Sequence, residues 1–408
     1  MEHMPDSKQN EELRTLGIYV HIPFCVKKCN YCDFLSMTAD EKTMECYIQA
    51  LLREIEYRAP AAEDCEVDSI FIGGGTPSCL DAGYIQRIME TIRQNYRIKQ
   101  PECERTNVLS EVTIECNPGT LDRHKLECYR RAGINRISLG LQSSSDEELR
   151  LLGRIHTWEQ FLQSAGLVRE FFDNWNVDIM SALPGQTTDS CRRTLENVLA
   201  LEPSHISAYS LIIEEGTPFY EKYKEDERIR QKGGNPHFLP SEEEEREMYE
   251  MTGRLLEEHG YHRYEISNYA KEGRESRHNN RYWLREDYLG LGLGASSLME
   301  NVRWNNVADM TVYLQEHPPQ EQFPRVELQR LTRRQQMEET MFLGLRRMQG
   351  VDTETFAKRF GHTIEDVYGE VIQRLELQQL LCYSGKYIQL TQSGIDVSNY
   401  VLSEFLLE

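Results

Sequence analysis

The chain has 408 residues, enough for two or three domains at roughly 150 residues each and for a large core. Its 67 acidic and 46 basic residues leave a net charge of −21, which disfavours nucleic acid and anionic membrane as partners. The eleven cysteines are odd in number and irregularly spaced. They make no disulfide framework and fit a reducing, cytoplasmic setting. The first residues, with Asp6, Glu11 and Glu12, lack the basic start and apolar stretch of a signal peptide. No apolar run approaches the roughly 18 residues of a membrane helix, so no transmembrane segment is expected.

Ile18-Tyr19-Val20-His21-Ile22 is a short apolar run that predicts a buried strand. It leads into Cys25-Val26-Lys27-Lys28-Cys29-Asn30-Tyr31-Cys32, where two lysines and an asparagine between the thiols predict an exposed loop. Three thiolates so spaced at a strand's end can wrap one corner of a cubane iron–sulfur cluster. One iron stays open, because the position two beyond Cys32 is Phe34, not a fourth cysteine. A Cys₃His zinc site is the competing donor set, but His21 would have to leave its strand to complete it.

Met44, Tyr47, Ile48, Leu51, Leu52 and Ile55 recur at helical spacing. A strand, Ser69 to Ile72, runs into Gly73-Gly74-Gly75-Thr76-Pro77, where bare backbone can approach a ligand closely. Ile85, Ile88, Met89, Ile92 and Tyr96 mark the next helix, Val112 to Cys116 a third strand, and Leu121 to Arg131 a helix stopped by Gly133. Arg136 to Leu141 is a fourth strand. Ser145 with Glu148 and Thr157 with Gln160 are capping pairs that open two further helices. Trp175 to Ile179 is a fifth strand, and a helix through Leu195, Val198 and Leu199 precedes a sixth from His205 to Leu211.

Six strands alternating with helices predict an α/β fold with parallel strands and crossovers. Doubly wound sheets and barrels both satisfy that pattern. In either, functional groups gather where strands end. Glu115, Gln142 and Asp178 fall in or at the ends of the third, fourth and fifth strands, with Arg154 twelve residues after Gln142. Polar groups in apolar strands are costly unless satisfied. Beyond Ile212 the rhythm changes. Ser241 opens a helix carrying Glu242 to Glu245 in its first turn, where the dipole favours negative charge. From Arg325, helical stretches at Met337–Arg347, Thr353–Arg359 and Val367–Gln379 precede a hairpin through Tyr383 to Tyr387 and a last helix. Ten basic and twelve acidic residues there give no basic face for DNA, so packing or partner contact is expected.

Tyr19-Val20-His21-Ile22-Pro23-Phe24-Cys25-x-x-x-Cys29-x-Tyr31-Cys32 resembles the radical S-adenosylmethionine signature. More narrowly, it resembles the branch that holds oxygen-independent coproporphyrinogen III oxidase and the heme chaperones. The resemblance implies a partial (β/α)₆ barrel over 16–212 behind an N-terminal extension, 1–15. A middle segment, 213–324, would follow, then a C-terminal winged-helix-like module of α+β type, 325–408. Cys25, Cys29 and Cys32 would hold a [4Fe–4S] cluster, and the methionine end of S-adenosylmethionine would chelate the fourth iron. Tyr19, Tyr31, Gly74, Gly75, Thr76, Glu115, Gln142, Arg154 and Asp178 match positions that hold the nucleotide, Tyr31 against the adenine.

His278-Asn279-Asn280-Arg281-Tyr282-Trp283 resembles the His-Asn-x-x-Tyr-Trp motif associated with heme in the chaperones. It implies His278, Tyr282 and Trp283 as heme contacts, since imidazole can ligate iron. Three positions depart from the branch. Phe34 stands where the oxidase has a further cysteine, Ala182 where the family has the glycine of Gly-Leu-Pro, and Ser296 where many chaperones have histidine. The implied function is binding of heme as cargo and its delivery to an acceptor protein, with a reductant that supplies one electron. Decarboxylation of coproporphyrinogen is the second expectation. Radical methyl transfer or heme breakdown is the third.

Overall fold

The computed structural model describes residues 13–99, 110–315 and 323–407. Asp6, Glu11 and Glu12 lie outside the described residues, as does most of the expected extension. Six strands form the centre: β1 (Arg14–Ile22), β2 (Cys65–Gly74), β3 (Glu111–Cys116), β4 (Arg136–Gln142), β5 (Trp175–Ser181) and β6 (His205–Ser210). They lie side by side in sequence order, each parallel to the next. The crossovers are α1 (Glu41–Arg58), α2 (Ala82–Asn95), α3 (Arg123–Arg131), α4 (Asp146–Leu151), α5 (Trp158–Phe171) and α6 (Thr188–Leu199). Crossovers of one hand between successive neighbours put every helix on the same face. A doubly wound sheet needs a reversal of strand order, and none occurs. The centre is therefore an open (β/α)₆ barrel.

Side-chain alternation sorts each strand. In β1, Leu16, Ile18, Val20 and Ile22 are fully buried in the common core with Tyr47, Ile48 and Leu51 of α1. Tyr19 and His21 face the barrel interior. Strands β1 and β2 begin four residues earlier than their apolar runs suggest, because their first halves mix polar residues with Leu16 and Val67.

The sheet continues past both edges of the barrel. After α7 (Pro218–Gln231) and α8 (Glu242–Glu258), β7 (His262–Arg263) and β8 (Asn268–Ala270) add antiparallel strands beyond β6. Following α9 (Arg277–Trp283), β9 (Tyr288–Leu291) pairs parallel with β1. Then come β10 (Ser296–Met299), β11 (Val302–Asn306), α10 (Met310–Tyr313) and β12 (Arg325–Arg330), with the three strands extending the sheet in antiparallel order. The middle segment thus flanks the barrel on both sides and is no separate body. Its docking rests on buried Glu54 of α1, which accepts from Gly292 N (2.8 Å), Tyr313 Oη (2.8 Å) and Asn306 Nδ2 (2.7 Å), with Arg58 beside it.

The expected start of the C-terminal module at 325 moves back, because β12 pairs with β11. The module proper holds α11 (Arg333–Gly344), β13 (Val351–Asp352), α12 (Thr353–Phe360), α13 (Ile364–Leu377), β14 (Leu381–Ser384) and β15 (Tyr387–Leu390), then two short helices. The last two strands form the expected hairpin, and β13 pairs with β15. Met341, Phe356, Phe360, Ile372, Ile388 and Phe405 build its own core. Among the described residues, no helix is long and apolar enough to cross a membrane.

Candidate cluster and nucleotide pocket

The cysteine loop leaves β1 and is pinned at both ends. Cys25 N donates to Met37 O (2.9 Å) and Met37 N to Pro23 O (2.7 Å). Inside the loop, Asn30 ties it to the end of α4: its backbone N donates to Leu152 O and its Nδ2 to Leu151 O, both 2.9 Å. Cys25, Cys29 and Cys32 are free, half-buried thiols. Cys25 Sγ lies 3.5 Å from Thr76 Oγ1, and Arg154 Nη1 lies 3.8 Å from Cys29 Sγ. Arg154 is aimed by Asn117 Oδ1 (2.7 Å) and the Gly140 carbonyl (2.6 Å). Burial, with the Cys29 and Cys25 thiols nearby, pushes the Cys32 thiol up.

The wall of the pocket is made by strand ends. Gly74 closes β2 at φ +112°, and a side chain there would overlap the His21 ring. Its N–H donates to Glu115 Oε2 at 3.0 Å. Asn117, after β3, joins the wall by donating from Nδ2 to Thr76 Oγ1 (2.7 Å). Burial, with Asp178 nearby, raises Glu115 to about 7. Asp178 is raised as well, by burial first, against hydrogen bonds from Asn176, Ser207 and Ser138 that lower it.

The zinc alternative does not fit. His21 bonds Tyr19 Oη through Nδ1 (3.0 Å) and the Leu35 carbonyl through Nε2 (2.9 Å), so neither nitrogen is open. Among the described residues, no three His, Cys, Asp or Glu side chains converge on one ion. A cubane gives each thiolate its own iron, so three thiols spread along one wall suit it. The donor set and the carboxyl-lined cavity beside it fit the cluster and a cationic nucleotide.

Cys25, Cys29, Tyr31, Cys32, Gly74, Gly75, Thr76, Glu115, Gln142, Arg154 and Asp178 all line this one pocket. Tyr19 does not. It sits a layer deeper, bonded to His21 and stacked 6.3 Å from Phe71. Sequence reasoning missed Asn117, Ser138 and Ser36 in the lining. The Asn-Pro step directly after β3 was the available signal for Asn117. Phe34, 65% exposed, stands at the mouth with its carbonyl accepting from Lys28 Nζ (3.1 Å).

The His278 segment lies elsewhere. It forms α9, which plugs the N-terminal end of the barrel, opposite the thiols. Glu111, the first residue of β3, caps it, accepting from Ser276 Oγ (3.4 Å) and from the backbone N–H groups of Arg277 and His278 (3.2 Å each). Arg281 is anchored on Asp68. His278 and Tyr282 do share a face, and they bond each other: His278 Nε2 to Tyr282 Oη is 2.9 Å, and Nδ1 to Ser69 Oγ is 3.1 Å. The ring is 1% exposed and stacked on Phe71 at 5.4 Å. Burial, then Arg281, lowers it to about 3. Trp283 lies under the Arg346 guanidinium, 4.6 Å from it. Iron ligation by His278 does not fit this arrangement, because both nitrogens are bonded and the ring is covered. Nor do the glycines at 290–294 hold a dinucleotide: β10 follows them where a helix would be needed.

Residues 19–198 match the radical SAM superfamily model, and residues 331–397 match the HemN C-terminal domain. Coproporphyrinogen III oxidase (HemN) from Escherichia coli superposes with a TM-score of 0.79, over 97% of this chain and 90% of that one, at 24% identity. The heme chaperone HemW of Bacillus subtilis is 36% identical over 391 residues, 96% of this chain and 99% of the relative. That of Lactococcus lactis is also 36% identical, over 96% and 97%. Fold and pocket together define a radical S-adenosylmethionine protein. Within that class, the chain belongs to the heme chaperone HemW family.

Proposed function

We propose that this protein is a heme chaperone that binds heme and passes it to an acceptor protein, working in the cytoplasm. The carrying observation is similarity at 36% identity along almost the whole of two curated heme chaperones. Phe34 at the mouth agrees with it. The likeness to the oxidase, at 24% identity, speaks for the fold alone.

In this reading Cys25, Cys29 and Cys32 hold a [4Fe–4S] cluster, and Arg154, beside the Cys29 sulfur, faces the nucleotide. Glu115, Gln142 and Asp178 face the nucleotide, and Gly74 and Gly75 let it lie against the backbone. Tyr31 covers the adenine. With a one-electron reductant, the bound cluster and S-adenosylmethionine supply reductive cleavage of the sulfonium. Tyr19 and His21 support the pocket from below.

Anaerobic reconstitution, iron and sulfide counting, heme titration and product analysis on one sample test this. Expected are four irons per chain, a Soret shift on heme addition and transfer to apo-acceptor. Tetrahedral zinc would remove the cluster, and a vinyl product from coproporphyrinogen would reverse the order of chaperone and oxidase.

A further inference from the structure

The plug has a second face. Arg277 and Asn280 of α9 turn away from the barrel into a cleft of about 510 Å³, bounded by β7, the turn after β8 and the loop joining α11 to β13. Arg263, Arg347 and His262 share its wall. The Arg263 guanidinium lies 4.4 Å from the Tyr249 ring and 5.3 Å from Tyr269, with Nε and Nη2 both on the Ile266 carbonyl. Arg347 gives Nη2 to Gln349, and its buried Nε has no partner.

Among the described residues neither Arg263 nor Arg347 makes an ion pair, whereas Arg14, Arg58, Arg230, Arg281 and Arg285 all do. Glu275, a carboxylate in the same wall, is taken by His262 at 2.6 Å. Partly buried guanidiniums without counter-ions are costly, and the planar fork of arginine matches carboxylates in two-point contacts. Tyr264 and Met348 add apolar surface to the same wall.

We propose that this cleft binds the propionate edge of the heme cargo, with Arg263, Arg277 and Arg347 on the carboxylates and Met348 and Tyr264 against the macrocycle. The proposal rests on the chaperone reading above. It puts the cargo outside the plug, at the end of the barrel remote from the thiols, and assigns the outward face of α9, with Arg277 and Asn280, to the ligand while its inward face holds the fold.

The test is heme titration of the full-length reconstituted protein beside the Arg277→Glu/Arg347→Glu variant and the milder Asn280→Glu, with heme dimethyl ester as a second probe. Wild type should bind the ester at least about tenfold more weakly than heme, a difference of ~1.4 kcal/mol. The double variant should lose about the same factor for heme, change little for the ester, and keep its iron content and melting temperature. If it melts early, Asn280→Glu carries the test. Heme binding that is equal for heme and ester, or unaltered by Asn280→Glu and the double variant, overturns the inference and leaves the chaperone reading standing. Absence of heme binding by wild type overturns both.

Discussion

Glu115 reaches the pocket from β3 and Asp178 from β5, two carboxyls held up by burial where we propose that the cationic nucleotide binds. A cationic ligand favours the ionised forms, so binding must displace protons. S-adenosylmethionine affinity is therefore expected to fall as pH drops from about 8 to about 6, through the value of about 7 to which burial raises Glu115. Calorimetry in buffers of different ionisation enthalpy should show proton release, and a pH-independent affinity would contradict it. The same residue costs stability without ligand. Its folded value lies above its unfolded one, so its contribution is complete below about 4.5 and is lost as pH rises through about 7. Glu115→Gln should raise the melting temperature of the ligand-free protein at pH 8 while weakening the nucleotide. At this scale the sequence was informative: thiols, strand-end glycines and carboxyls all announced themselves by being polar or bare where the strands are apolar. Tyr19 lies outside the pocket lining, because its neighbour in the barrel, His21, holds it a layer below.

Among the elements, α9 shows how a motif can be legible while its position is not. The spacing of His278 and Tyr282 predicts a shared helical face, and that face exists. Its partners, Ser69 and Glu111, lie 209 and 167 residues back in the chain, so no local pattern reveals them. His278→Ala should destabilise the protein by about 2–4 kcal/mol, since it opens a cavity and orphans the buried Ser69 hydroxyl and the half-buried Tyr282 one. If the ring only braces the plug, folded His278→Ala protein will show the wild-type Soret maximum with heme. A second element-scale prediction concerns Ala182, which sits in left-handed backbone at φ +57°. Left-handed backbone costs a residue with a side chain about 1–2 kcal/mol, while glycine loses about 0.5–1 kcal/mol more entropy. Ala182→Gly should leave urea stability unchanged or raise it by up to about 1 kcal/mol, and a clear loss would contradict the strain assignment. Short strands such as β7 and β8 were illegible, being two and three residues long.

For the whole molecule, the alternation of strand and helix identified the class but not the curvature. That came from strand order, a long-range property. The joints between parts are also long-range. Buried Arg285 pairs with Glu339 at 2.9 Å, and Glu339 also holds Arg303 at 2.7 Å, clamping the C-terminal module to the strands beyond β1. Glu339→Ala strands a buried guanidinium, so a loss of about 3–5 kcal/mol is expected in urea denaturation. Limited proteolysis near residue 331 should accelerate in the same variant, and unchanged cleavage would argue against the clamp.

A barrel stoppered by its own helix is a cul-de-sac. Whatever enters the pocket at the strand ends must leave by the same doorway.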